Sequence, residues 1–131
     1  LTAVVCTHSH PDHWGELPVF RNAWKYYLRR EPIAVYGTAE TRDLCRAVCG
    51  TDMADTLDWT VTDPASELHI GDQRWTFALT DHPVETLAPR IESGGRTFGF
   101  TADTGPAWSL ESLGPGLDLA LVEATIHAAD E

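Results

Sequence analysis

Basic residues are scarce in this chain: nine Lys and Arg stand against 20 Asp and Glu, for a formal net charge of −11. A nucleic-acid binder draws much of its affinity from neutralising phosphates with a basic face. The deficit therefore argues against a long polyanion as partner and leaves room for small anions at a locally positive site. Two divalent ions would offset four of those charges and leave the chain acidic. Cysteine is sparse too. Cys6, Cys45 and Cys49 form an odd set, and the spacing of the last two is neither a redox nor a zinc pattern. Reduced, buried thiols and a cytoplasmic home are expected. No apolar run reaches the roughly 18 residues of a membrane-spanning helix, so none is expected. There is no basic start or small-residue cleavage site of a signal peptide, no internal repeat and no low-complexity segment. What is present is an ordinary 43% of hydrophobic residues over 131 positions, enough for one domain spanning 1–131 with a buried core. Opening without Met and closing on Ala128-Ala-Asp-Glu131, the chain reads as a fragment.

Hydrophobic periodicity predicts mixed order. Leu1 to Thr7 is a continuous apolar run expected to be a buried strand, ending in polar residues from His8 to His13. A helix is predicted over Pro18 to Arg30, with Phe20, Trp24, Tyr27 and Leu28 facing the core. Its Arg21, Lys25 and Arg29 recur every fourth residue and are expected to form a solvated face. Ile33 to Tyr36 follows as a strand. A helix over Ala39 to Val48 has Thr38 as N-cap and Gly50 as stop, and a short helix is read near Asp52 to Leu57. Two hairpins are predicted: Ser66 to Ile70 with Gln73 to Thr80, where Trp75, Phe77 and Leu79 point inward, and Leu87 to Glu92 with Arg96 to Thr101. A helix over Trp108 to Leu113 and an apolar strand over Leu117 to Glu123 complete the pattern. Hairpins and crossover helices together indicate an α/β sandwich.

The densest chemistry lies in Thr7-His8-Ser9-His10-Pro11-Asp12-His13, three imidazoles and a carboxylate within six residues of one another, directly after a strand. In an extended segment His8 and His10 point the same way and can chelate one ion. Asp12 and His13 sit where the chain turns and can face a second. Imidazole and carboxylate are the donors zinc takes in catalytic sites, and two ions about 3.5–4 Å apart can clamp attacking and leaving oxygens. Taken alone, His82 would be a loop histidine, Asp103 a turn aspartate and His69 a half-exposed strand residue.

His8-x-His10-x-Asp12-His13 resembles the H-x-H-x-D-H signature of the metallo-β-lactamase superfamily. The resemblance implies an αββα sandwich, here lacking its N-terminal strands and C-terminal end, and two zinc ions per complete site. It assigns His8, His10 and His82 to the first ion, Asp12 and His13 to the second, and Asp103 as the bridge, with Asp12 also a candidate proton acceptor. One branch fits better than others. His13-Trp-Gly-Glu-Leu-Pro18, the run from Arg90-Ile-Glu through Asp103-Thr-Gly-Pro106, and Glu123-Ala-Thr125 are similar to the tRNase Z and phosphodiesterase branch. The implied reaction is hydrolysis of a phosphodiester by a metal-activated water.

Two departures narrow that implication. In tRNase Z a long arm that grips tRNA lies between the third His and the bridging Asp, yet only 21 positions separate His82 from Asp103 here. The family's final metal-binding His, in an H-x-[ST]-like context, also has no counterpart. His127 follows the Glu123-Ala-Thr125 segment too closely to be preferred. A small cyclic nucleotide is thus the expected substrate, with a homodimer as the candidate assembly. Aryl sulfates, lactones, thioesters and tRNA 3′ processing stand as alternatives. An oxygen-reducing diiron protein of the same fold would carry Glu where His10 stands, and a metal-free scaffold would show substitutions among the ligands.

Overall fold

A computed structural model describes residues 1–124 of the chain. They form two compact units, Leu1–Ser66 and the segment from Glu67 onward.

The first unit is a parallel sheet in the order β1 (Ala3–Val5), β2 (Ile33–Gly37), β3 (Leu57–Val61). Parallel neighbours require long crossovers. Between β1 and β2 the crossover is α1 (Leu17–Asn22), continued by a π-helical stretch over Ala23–Leu28; between β2 and β3 it is α2 (Ala39–Cys49). Alternate residues of β2, Ile33 and Val35, are buried with Cys6, Trp14, Leu17, Cys45, Met53 and Leu57, and Phe20 and Trp24 pack against this core. Thr38 caps α2 as expected, its Oγ accepting from the Thr41 amide at 3.3 Å, and Gly50 ends the helix at φ 86°.

Three expectations need correction here. Tyr27 and Leu28 are exposed, because the i→i+5 winding after Asn22 breaks the 3.6-residue period that put them on the core face. The basic stripe is a solvated face only at Arg29, which is exposed. Arg21 is buried with Nη2 2.6 Å from Asp52 Oδ2, and Lys25 Nζ lies 2.9 Å from the same oxygen. Lastly, Leu57–Val61 is a strand where only the end of a short helix was expected; the helical part is a single turn at Met53–Asp55.

The second unit is a sheet ordered β4 (Glu67–Ile70), β5 (Gln73–Leu79), β6 (Leu87–Ser93), β7 (Arg96–Phe100), β8 (Leu119–Leu121), antiparallel except for the parallel β7–β8 pair. Both predicted hairpins are present. Gly94 and Gly95 join β6 to β7 with φ of 56° and 74°, the left-handed pair that a two-residue hairpin turn demands. Phe77 is buried as expected. Leu79, at the end of β5, is exposed instead of inward-facing, and its carbonyl accepts the Trp108 indole N–H at 2.8 Å. The predicted helix after Trp108 is one 3-10 turn over Leu110–Leu113, capped by Ser109. His69 is exposed on β4, 3.3 Å from Glu67. Among the described residues no helix is long and apolar enough to cross a membrane.

Candidate metal centre

In the first unit the donors follow from how β1 ends. The Cys6 amide still donates to Tyr36 at 2.8 Å, so the chain stays extended alongside β2 and carries Thr7, His8 and Ser9 into the interior. His8 is fully buried. Its Nδ1 lies 3.0 Å from the Thr7 hydroxyl. With the proton on Nδ1 the ring donates to Thr7 and presents Nε2 to a metal. His10 is extended at ψ 138° and opens a tight turn over Pro11–His13. That turn folds His13 back, so that its ring centroid lies 4.1 Å from that of His8, with His10 at 4.9 Å on another side. Asp12 is exposed, its Oδ2 3.4 Å from His13 Nε2. The rings of His10 and His13 thus both neighbour that of His8, and Asp12 lies beside His13 at the exposed edge.

The turn is closed by Gly15, whose amide donates to the Pro11 carbonyl at 2.7 Å. A Cβ on Gly15 would sit 2.5 Å from that oxygen, so any other residue forces the turn to shift. Two contacts hold Ser9, between the histidines: its hydroxyl donates to Glu40 Oε2 and its carbonyl accepts the Trp14 indole N–H, each at 2.8 Å.

In the second unit His82 and Asp103 lie on two loops tied to one another. The Thr80 hydroxyl donates to the Asp103 carbonyl at 2.8 Å, and the Gly105 amide donates to the Asp81 carbonyl. Ala102, just before Asp103, is buried at φ 52°, a left-handed conformation costly for alanine. Glu123 helps hold it there. Its carboxylate accepts the Thr104 amide at 2.6 Å, and its own amide donates to Thr101 Oγ at 2.9 Å. Both His82 and Asp103 are half-buried.

Several of these supports have no strong local pattern in the sequence. Ser9 carried a signal, a small polar residue between two ligand-type histidines. Glu40, Thr80 and Ala102 carried none, because their roles depend on which loops the fold apposes. Arg90, part of the family-like run, turns out to be structural: its guanidinium donates to the carbonyls of Leu113 and Pro115 and to Glu92. His127 lies outside the described residues.

The family profile described as "Beta-lactamase superfamily domain" matches residues 1–131. The chain is 35% identical over 148 aligned positions to the ribonuclease Z of Mycobacterium bovis, a match covering 97% of this chain and 52% of that protein. It thus spans about half the length of the curated relatives it matches. Among solved structures, the metallo-beta-lactamase fold protein YhfI from Bacillus subtilis superposes with a TM-score of 0.67 at 26% identity, covering 79% of this chain and 41% of that one. The short form of human tRNase Z superposes with a TM-score of 0.68 at 19% identity, covering 98% and 59%.

Proposed function

The chain belongs to the beta-lactamase superfamily domain family and has the metallo-β-lactamase hydrolase fold, and from that premise we propose that it is a zinc-dependent hydrolase cleaving the phosphodiester of a small anion, a cyclic nucleotide foremost. The observation that carries the metal reading is the convergence of the His8, His10 and His13 rings, with Asp12 at the edge. Three clustered imidazoles beside a carboxylate suit zinc better than a hard, oxygen-seeking cation. His8, His10, His82 and Asp103 each offer a donor atom of the right type. By family resemblance His8, His10 and His82 serve one ion, Asp12 and His13 a second, and Asp103 both. Bound ions would supply an activated water and offset charge on the leaving oxygen.

The protein's own part is orientation and proton handling. Thr7 orients the His8 ring through its contact with Nδ1. Asp12, the most exposed donor, is the proton acceptor we propose, since it alone of the first unit's donors reaches well into solvent. The restriction to a small substrate is supported by the path from His82 to Asp103, which holds one hairpin turning on two glycines and no tRNA-gripping arm. The acidic net charge points the same way. The three free cysteines support a cytoplasmic location.

A second reading, tRNA 3′ processing, is favoured by the 35% identity to a ribonuclease Z. One experiment separates the readings. Full-length protein is assayed for metal content and for turnover of 3′,5′-cyclic AMP, bis(p-nitrophenyl) phosphate, an aryl sulfate and a tRNA precursor. Zinc near two equivalents with cyclic AMP turnover supports the proposal. Cleavage of the tRNA precursor alone selects the second reading, and protein that binds no zinc and hydrolyses nothing rejects both.

A further inference from the structure

We infer that Glu40 is a positioning residue for the metal: by accepting the hydroxyl of Ser9 it locks the backbone between His8 and His10 into the ligating conformation. The inference rests on the metal reading above and adds to it a residue 30 positions beyond His10. Ser9 sits at the bend between the two histidines. There it is buried and meets Glu40 Oε2 at 2.8 Å. A hydrogen bond to a carboxylate is stronger than one between neutral partners. The Ser9 carbonyl is pinned independently by the Trp14 indole, so rotation of the Ser9–His10 peptide would break a contact.

The frame behind Glu40 is rigid. It lies in the first turn of α2, whose start is set by buried Thr38 and Thr41, their hydroxyls 2.8 Å apart. Thr38 directly follows β2, and β2 pairs with β1, the strand that delivers His8. The segments that follow two adjacent parallel strands thus supply the ligand pair and its brace. A merely structural role is available to Glu40, since a carboxylate in the first turn of a helix favours the macrodipole. The test must separate the two.

Zinc affinity of the full-length protein is measured by competition with a chromophoric chelator for wild type, Ser9→Ala, Glu40→Ala, Glu40→Gln, the Ser9→Ala/Glu40→Ala double variant and His8→Ala, with thermal unfolding of each metal-free form. Each single alanine variant is expected to weaken zinc about tenfold, the lower end for partners outside the ligand shell. The double variant should be no weaker than either single one, and Glu40→Gln, which keeps an acceptor oxygen, should recover most of the loss. Unchanged affinity in Glu40→Ala overturns the inference while leaving the metal reading intact. So do additive losses, or losses that track the thermal unfolding of the metal-free forms. Wild type that binds no zinc, or His8→Ala that binds it as wild type does, overturns the metal reading itself and the inference with it.

Discussion

Thr80 and Asp103 are joined through the backbone: the threonine hydroxyl at the end of β5 donates to the aspartate carbonyl at 2.8 Å, across a sequence gap of 23. The main chain of Asp103 is thereby tied down beside the side chain proposed to bridge the ions. Replacing the buried Thr80 by Val should destabilise the protein by about 1–2 kcal/mol, the cost of leaving a carbonyl without its donor. It should also lower kcat/KM about tenfold through a loosened Asp103. Urea unfolding and steady-state kinetics check the two effects separately.

Asp103→Ala should leave the fold largely intact and abolish hydrolysis, because the proposed bridge between ions is lost. His82→Ala should behave similarly by weakening one ion. Near-normal turnover in Asp103→Ala, with circular dichroism unchanged, would rule out a mechanism that depends on two ions.

Gly15→Ala places a methyl group 2.5 Å from the Pro11 oxygen. The turn carrying Asp12 and His13 has to open, at about 1–3 kcal/mol for forced overpacking. Lower urea stability together with a weakened second zinc equivalent in a titration is the expected pair of results. Loss of stability with both zinc equivalents bound as tightly as in wild type would separate the turn from the metal.

Asp52 should make part of the stability acid-sensitive. The hydrogen bond from Lys25, aided by Arg21, holds its carboxyl below the usual carboxylate range. A depressed carboxyl contributes stability that is present above its unfolded-state pKa and lost as pH falls through the lower folded value. Asp52→Asn should therefore flatten the acid dependence of Tm, with only a small loss at pH 7 because the half-exposed pair is screened by solvent, leaving KM for an anionic substrate unchanged. A risen KM would return the Arg21, Lys25 and Arg29 stripe to the substrate side.

The thiols titrate in the opposite sense. Burial pushes Cys6 and Cys45 up to about 12 from an ordinary 9.0. Their protonated forms are retained on folding, so the contribution is full below pH 9 and is lost between about 9 and about 12, as the unfolded chain ionises first. At pH 8 iodoacetamide should label only Cys49 in the native protein and all three cysteines after denaturation, with peptide mass spectrometry as the readout.

Much of this was legible in the sequence, for identifiable reasons. His8, His10, Asp12 and His13 could be grouped because strand and turn geometry operate over a few residues. The hairpins were marked by Gly71-Asp72 and Gly94-Gly95. The burial of Arg21 was not legible, because its partner Asp52 lies 31 residues away in a turn whose placement depends on the whole crossover. Tyr27 and Leu28 misled because a period of 3.6 was extended past Asn22, where the winding changes. The strand Leu57–Val61 was obscured by Asp58, polar residues being common on a strand that is largely exposed on one side. Glu40 and Thr80 support their loops through contacts that no local pattern encodes.

The two sheets also differ in how far apart in sequence their partners lie. In β5–β6 the closing pair is Leu79 with Leu87, eight residues apart, whereas β1–β2 begins with Ala3 against Ala34. Closing a longer loop costs more entropy before any contact rewards it, and non-local pairing is slow. The meander that carries His82 and Asp103 should accordingly protect its amides early in refolding, and the parallel sheet that delivers His8 and His10 should follow. Pulse-labelled hydrogen exchange, run beside stopped-flow zinc uptake, would then show the proposed metal binding keeping time with β1, the three-residue strand on which His8 depends.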